Sequence, residues 1–448
     1  MTARNIIVGL ACIAIIVLVA MAWIVLGPGP MAFAPGSTVA IASAGSDPSG
    51  VPKELAGGDV IKRGEYLAHA ADCLACHTGK DAQAYAGGFA FNLPMIGTIY
   101  STNITPDKET GIGNYTDAQF LAAVHRGKRQ DGQNLYPAMP YASYTYMTDA
   151  DALAIKAYLF TLPAVHAPAR ANRLNFPFNQ RALLTAWNMF FSPDTRFAVN
   201  AAQSPEWNRG AYLSEALGHC GECHTPRNLM YALDNRQKFA GALTAGWRAY
   251  NISADAKAGL GAWSDASLTS YLATGHAEGH GGAAGPMGEA SDNSLTYLPA
   301  GDIHAMVVYL RSVPAAASNL PHVITVPAPA SFREGVTAGL DKRGEKLFAG
   351  ACASCHDWTG KGQLTTFATL TGARSVNDPS AVNVAQTVMN GIDRKTAAGN
   401  VFMPSFGNAY TNAEIAQLAN YVTARFGPEG AHLTEKGVQS LRDQAAQR

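Results

Sequence analysis

Charge is scarce in this sequence. Asp, Glu, Lys and Arg make up 15% of the 448 residues, and the 33 acidic and 33 basic side chains cancel. A neutral surface does not hold a polyanion, because phosphate contacts need clustered cations, so nucleic acid is excluded as a partner. Spare cysteine is also lacking. Six of the seven cysteines fall in close pairs, and Cys12 is left without a sulfur to bond. A disulfide framework is therefore excluded. Basic residues are missing between Arg4 and Lys53, a gap that contains the charge-free run Ile6 to Leu26.

What is present is one stretch written three times. Cys73-Leu74-Ala75-Cys76-His77 returns as Cys220-Gly221-Glu222-Cys223-His224 and as Cys352-Ala353-Ser354-Cys355-His356. C-x-x-C-H is the attachment signature of c-type haem. Two thiols three positions apart on one helical turn each form a thioether to a haem vinyl group. The adjacent His then lies beneath the ring as the proximal iron ligand. One copy would also fit a zinc half-site or a redox dithiol; three copies that consume six of seven cysteines do not. The expectation is three covalently bound haem c groups, held by Cys73, Cys76, Cys220, Cys223, Cys352 and Cys355, with His77, His224 and His356 on iron. Haem c is attached outside the bacterial cytoplasm, so the folded body is expected on the periplasmic side of the inner membrane.

The length predicts about three domains, and motif spacings of 147 and 132 residues agree. The expected fold is all-α: three tandem class I cytochrome c domains after an N-terminal transmembrane helix. Residues 1–28 read as a membrane anchor or signal-anchor, since the 21 charge-free residues reach roughly 30 Å, enough for a bilayer. Ala32-Phe33-Ala34 and Ala40-Ile41-Ala42 are candidate cleavage sites in the alternative reading. Residues 29–57 form a Gly/Pro/Ala/Ser tether, 58–165 the first domain and 166–203 an aromatic-rich connector. The second domain covers 204–314, a Pro/Ala-rich connector 315–334, and the third domain 335–427. The polar tail, 428–448, reads as a frayed helix.

The second domain repeats the first at a nearly fixed offset. Asn103-Ile104 matches Asn251-Ile252, and Gly111 to Asp117 matches Gly259 to Asp265, both 148 residues on. The offset marks a duplication. The third domain lacks this insert and is a more distant copy. The repeat also picks a second axial ligand. Gly127, Gly275 and Gly391 are each followed twelve residues later by a methionine: Met139, Met287 and Met403. Each adjoins a proline on a stretch read as loop, from which a thioether reaches the iron opposite His. Met147, Met306 and Met389 lack a matching position and read as core. His125, His276 and His280 are competing ligands, and no His occupies the Met position in all three domains. His69 and His219 are expected near the haem edge. Asn103, Tyr115, Asn251 and Trp263 are weaker candidates for donors to haem propionates.

These motifs resemble the triple-haem cytochrome c subunits of bacterial membrane-bound dehydrogenases, the alcohol, aldehyde, gluconate, sorbitol and fructose enzymes among them. The resemblance covers residues 57–426. It rests on Arg63-Gly64-Glu65-Tyr66-Leu67, Ala70-Ala71-Asp72-Cys73, Ser101 to Asp107 and the three motif spacings. It implies His77/Met139, His224/Met287 and His356/Met403 as iron ligands. It also implies a catalytic partner bearing pyrroloquinoline quinone, flavin or molybdenum, with ubiquinone or a terminal oxidase as acceptor. No catalytic residue is expected in the chain itself. Many members have a cleaved signal peptide, whereas this N-terminus reads as a retained anchor. Two other readings stay open: a haem enzyme with one open-coordinate haem, and a free-standing membrane cytochrome between a quinol-oxidising complex and an oxidase.

Overall fold

A computed structural model describes residues 3–26, 59–93, 95–318, 320, 341–396 and 399–445. The tether, the candidate cleavage sites and most of the second connector lie outside the described residues. Each repeat opens with a helix before its C-x-x-C-H motif and closes with one after its methionine. The pairs are Val60–Ala70 with Asp149–Leu159, Pro205–Ala211 with Ala300–Ser312, and Lys342–Ala351 with Asn412–Phe426. Caps explain most of the starts. The side chains of Asp59, Thr148, Ser204, Asp341 and Thr411 each accept a backbone N–H of the first turn. Thr411 and Glu414 complete a capping box.

The glycine of each Arg-Gly lead-in sits where the two helices cross. A Cβ on Gly64 would lie 1.9 Å from the Ala154 carbonyl, one on Gly210 1.9 Å from that of Ala305, and one on Gly344 2.4 Å from that of Gln417. Only hydrogen fits there, so the backbones touch.

The expected all-α class needs correction. Among the described residues, nine strands form four small antiparallel sheets. They run two to five residues, too short for period-two alternation to show in the sequence. One, Ala90–Leu93 with Gly97–Tyr100, frames the approach to Asn103, and another is the hairpin Ile392–Thr396 with Gly399–Met403. The transmembrane helix is also corrected: no helix among the described residues is long and apolar enough to cross a membrane. A helix does run from Ala3 to Leu26.

The first two repeats share one hydrophobic core, while the third has its own. The seam between the first two is reciprocal. Arg63 pairs with Asp151 in the first repeat, and Tyr212 of the second donates to the same carboxylate at 2.5 Å. Arg209 pairs with Asp302 at 2.8 Å in the second repeat, and Tyr66 of the first donates to that one. Duplicated residues thus meet across a pseudo-twofold axis. His69 and His219 lie at this seam: His69 stacks on Tyr297 at 3.7 Å, and His219 meets the Tyr144 ring edge-on at 5.5 Å.

The connector packs through part of its aromatic set. Phe197 meets Tyr212 at 5.4 Å, and the Trp187 indole donates to the Met230 carbonyl at 2.9 Å. Phe176, Phe178, Met189 and Phe190 stay exposed. The polar tail is not frayed. Its helix Glu435–Ala445 buries Val438 and Leu441, and Arg442 donates to the carbonyls of Gly407 and Tyr410.

Candidate haem-binding sites

Each motif folds as a single helical turn, Cys73–Cys76, Gly221–His224 and Ala353–His356, which brings its two thiols to one side. Burial pushes the thiols up, to about 12 at Cys73 and Cys220 and about 11 at Cys352. Among the described residues, no group of three or more His, Cys, Asp or Glu is assembled to hold a metal ion.

The three motif histidines are held alike. His77 Nδ1 lies 2.7 Å from the Thr102 carbonyl, His224 Nδ1 2.6 Å from that of Tyr250, and His356 Nδ1 2.6 Å from that of Ala368. A carbonyl only accepts, so Nδ1 carries the proton and donates. Nε2 keeps its lone pair for a metal. Burial lowers all three imidazoles, His224 to about 4, against the raising effect of the carbonyl bond. They are neutral, the form that ligates iron.

These carbonyls were not singled out from the sequence, although a signal was there. Thr102 and Tyr250 immediately precede the repeated Asn-Ile. The asparagines themselves serve the loop. Asn103 Oδ1 accepts from Thr105 and its Nδ2 donates to the Val165 carbonyl at 2.7 Å; Asn251 does the same with Ser253 and the Ala316 carbonyl at 2.8 Å. Asn103 and Asn251 thus make matching bonds within their loops.

The three candidate methionines occupy different local structures. Met139 sits in a turn, Met287 in the first turn of helix Gly285–Asn293, and Met403 at the end of strand Gly399–Met403. Only Met139 matches the expected loop. All three are partly buried against the cores, whereas Met147, Met306 and Met389 lie within them. In the third repeat, Cys352, His356 and Met403 line one cavity with Phe348, Val388 and Leu418. The largely apolar lining suits an apolar cofactor, and the thiol, imidazole and thioether set fits covalent haem. The competing histidines pack elsewhere. Burial lowers His125 to about 4, His276 lies against Phe367 at 4.3 Å, and His280 stacks on Trp263 at 3.7 Å.

Comparison with known proteins agrees with this geometry. The family described as Cytochrome c matches residues 61–163 and 342–425. The fructose dehydrogenase cytochrome subunit of Gluconobacter japonicus is 42% identical over 402 residues, covering 85% of this chain and 82% of that one. The chain belongs to the cytochrome c subunits of membrane-bound dehydrogenases. Other relatives in this family are the gluconate 2-dehydrogenase cytochrome c subunit of Pantoea cypripedii, 36% identical over 86% of this chain and 89% of its own. The cytochrome c subunit of the quinone alcohol dehydrogenase of Gluconobacter oxydans is 35% identical over 86% and 83%. Membership makes this cytochrome c subunit an electron-transfer component that carries covalent haem c.

Proposed function

We propose that the chain carries three haem c groups, one per repeat, ligated by His77/Met139, His224/Met287 and His356/Met403. They relay electrons from a separate catalytic subunit oxidising an alcohol, aldehyde or sugar-type substrate to ubiquinone or a terminal oxidase. That catalytic subunit bears pyrroloquinoline quinone, flavin or molybdenum. The haem domains lie on the periplasmic side of the cytoplasmic membrane. The observation that carries the count is the threefold recurrence of one arrangement: a one-turn Cys-His helix whose His Nδ1 donates to a backbone carbonyl.

When bound, haem c supplies a one-electron iron couple, and a thioether ligand raises its potential. The carbonyls of Thr102, Tyr250 and Ala368 fix each imidazole's tautomer and raise its basicity. Buried Phe348, Leu418 and Val388 give the third site an apolar wall. The Ser143 hydroxyl of the first repeat donates to Glu222 inside the second motif at 3.1 Å, a contact that supports a relay between the first two sites.

The test is haem count and spin state in the purified holoprotein. Three thioether-linked haems are expected, all low-spin and slow to take up carbon monoxide when reduced. Met403→Ala is expected to turn one of the three high-spin and leave the others unchanged. Two haems, or an unaltered spectrum in the variant, overturn the ligand assignment. Failure of a dehydrogenase subunit to accompany the gently solubilised protein overturns the partner assignment.

A further inference from the structure

Among the described residues four arginines are buried: Arg209, Arg248, Arg374 and Arg394. Three face a carboxylate, Arg209 on Asp302 at 2.8 Å, Arg248 on Asp378 at 2.5 Å and Arg394 on Asp292 at 2.8 Å. Arg374, 8% exposed, has no carboxylate at ion-pairing distance among the described residues. Instead its guanidinium lies 4.7 Å over the Tyr250 ring, and Nη2 donates to the Asn251 carbonyl at 2.8 Å and to the Ala258 carbonyl. Nε has no hydrogen-bond partner. A buried guanidinium without an anion is costly, and desolvation lowers it to about 10.

Arg374 belongs to the third repeat, yet everything it touches there belongs to the second. Its own N–H donates to the His280 carbonyl at 3.0 Å, and the His280 ring stacks on Trp263 at 3.7 Å. The Trp263 indole, 5% exposed, also lacks a partner for Nε1. In the first repeat the matching Tyr115 is engaged, its hydroxyl accepting from the Gln130 N–H at 3.4 Å. Tyr250, beneath the guanidinium, is the residue whose carbonyl holds His224. Two buried donors without a partner thus lie on one run of contacts, Tyr250 to Arg374 to His280 to Trp263, that starts at the second attachment site, and one of them is a cation.

We propose that Arg374 of the third repeat, with the indole N–H of Trp263, binds a propionate of the haem attached to the second repeat. The third domain thereby supplies the counter-charge for a redox centre it does not carry. This rests on the second repeat holding a haem. A fixed cation there disfavours the more positive oxidised iron, and a charge-assisted bond keeps the propionate ionised. The other titratable or charged groups facing Arg374 are Tyr250, Tyr271, Arg248, Asp378, His224 and His280, and burial holds the tyrosines and histidines among them neutral.

The experiment is a spectroelectrochemical titration of the full holoprotein from pH 5 to 8, with Arg374→Gln and Arg374→Lys beside it. Haem is counted first, by mass. Expected are three haems in each protein and, in R374Q, a lower midpoint for one of the three. That midpoint should fall further with rising pH, because the propionate now titrates in this range. R374K should restore most of the shift and flatten the slope. If R374Q does not accumulate with three haems, Trp263→Phe removes the neutral donor alone and should give the same slope in weaker form. Two haems in the unaltered protein refute the second haem itself. Three haems with no shift, or an equal shift of all three, refute the role of Arg374.

Discussion

At His125 burial outweighs charge. The ring sits on helix Asp117–Arg126, is 1% exposed and has no hydrogen-bond partner on either nitrogen. Burial, then the nearby Arg196, lowers it to about 4, and Asp149 at 3.5 Å only partly opposes them. In the unfolded chain a histidine titrates near 6.5. Between those values the unfolded state binds a proton that the folded state refuses. The stabilisation is thus complete above about pH 6.5 and lost as pH falls towards 4. His125→Leu should remove this slope, on the order of 2 kcal/mol across the window. Denaturant midpoints at pH 7 and pH 4.5 would show it, and an unchanged slope would refute it. The motif cysteines and histidines were legible as residues because covalent chemistry dictates their spacing. The carbonyls that orient the histidines were not, since a backbone oxygen has no letter of its own. The surroundings of Arg374 were hidden for a related reason: they depend on which residues of the second repeat fold against it.

Helices and turns form the next scale, and there the glycines decide. Gly210 permits the contact of helices Pro205–Ala211 and Ala300–Ser312, with Ala305 O at 1.9 Å from any added Cβ. The obstacle is backbone, so it cannot rotate away. Gly210→Ala should cost about 3 kcal/mol through forced separation of the helices. Thermal unfolding measures it, with Gly301→Ala on the partner helix, where a Cβ meets nothing within 4 Å, as the control. Equal losses in the two variants would remove the crossing argument. Caps set the helix starts here too: Thr116 and Gln119 form a capping box at helix Asp117–Arg126. The strands were not legible in the sequence, because a two- to five-residue strand carries too few side chains to display a period. Met403 shows the consequence. It was read as loop, yet it closes a hairpin whose Ile392 lies opposite it.

For the whole molecule, duplication foretold similar units but not how they join. Arg63, Tyr66 and Asp151 repeat as Arg209, Tyr212 and Asp302, and the pseudo-twofold seam uses both sets at once. Nothing in either copy alone states that its tyrosine serves the other copy's aspartate. The N-terminal run shows the opposite error: it was expected to span a membrane, and no helix among the described residues is long and apolar enough to do so. The third repeat has a separate core, so its attachment rests on a few polar bridges. Arg248 meets Asp378, Gln386 donates to the Gly246 carbonyl at 2.8 Å, and Arg394 reaches Asp292 and the Ala283 carbonyl. The Arg248–Asp378 pair is buried on both sides, and leaving one such charge uncompensated costs about 3–5 kcal/mol. Asp378→Asn keeps the shape and the bond from the Ser380 N–H while deleting the charge. The loss should fall on the junction more than on the shared core of the first two repeats. Calorimetry should then resolve an earlier transition for the third domain, followed by one close to the original for the first two. A single transition lowered as a whole would mean that the three repeats unfold as one unit despite their two cores.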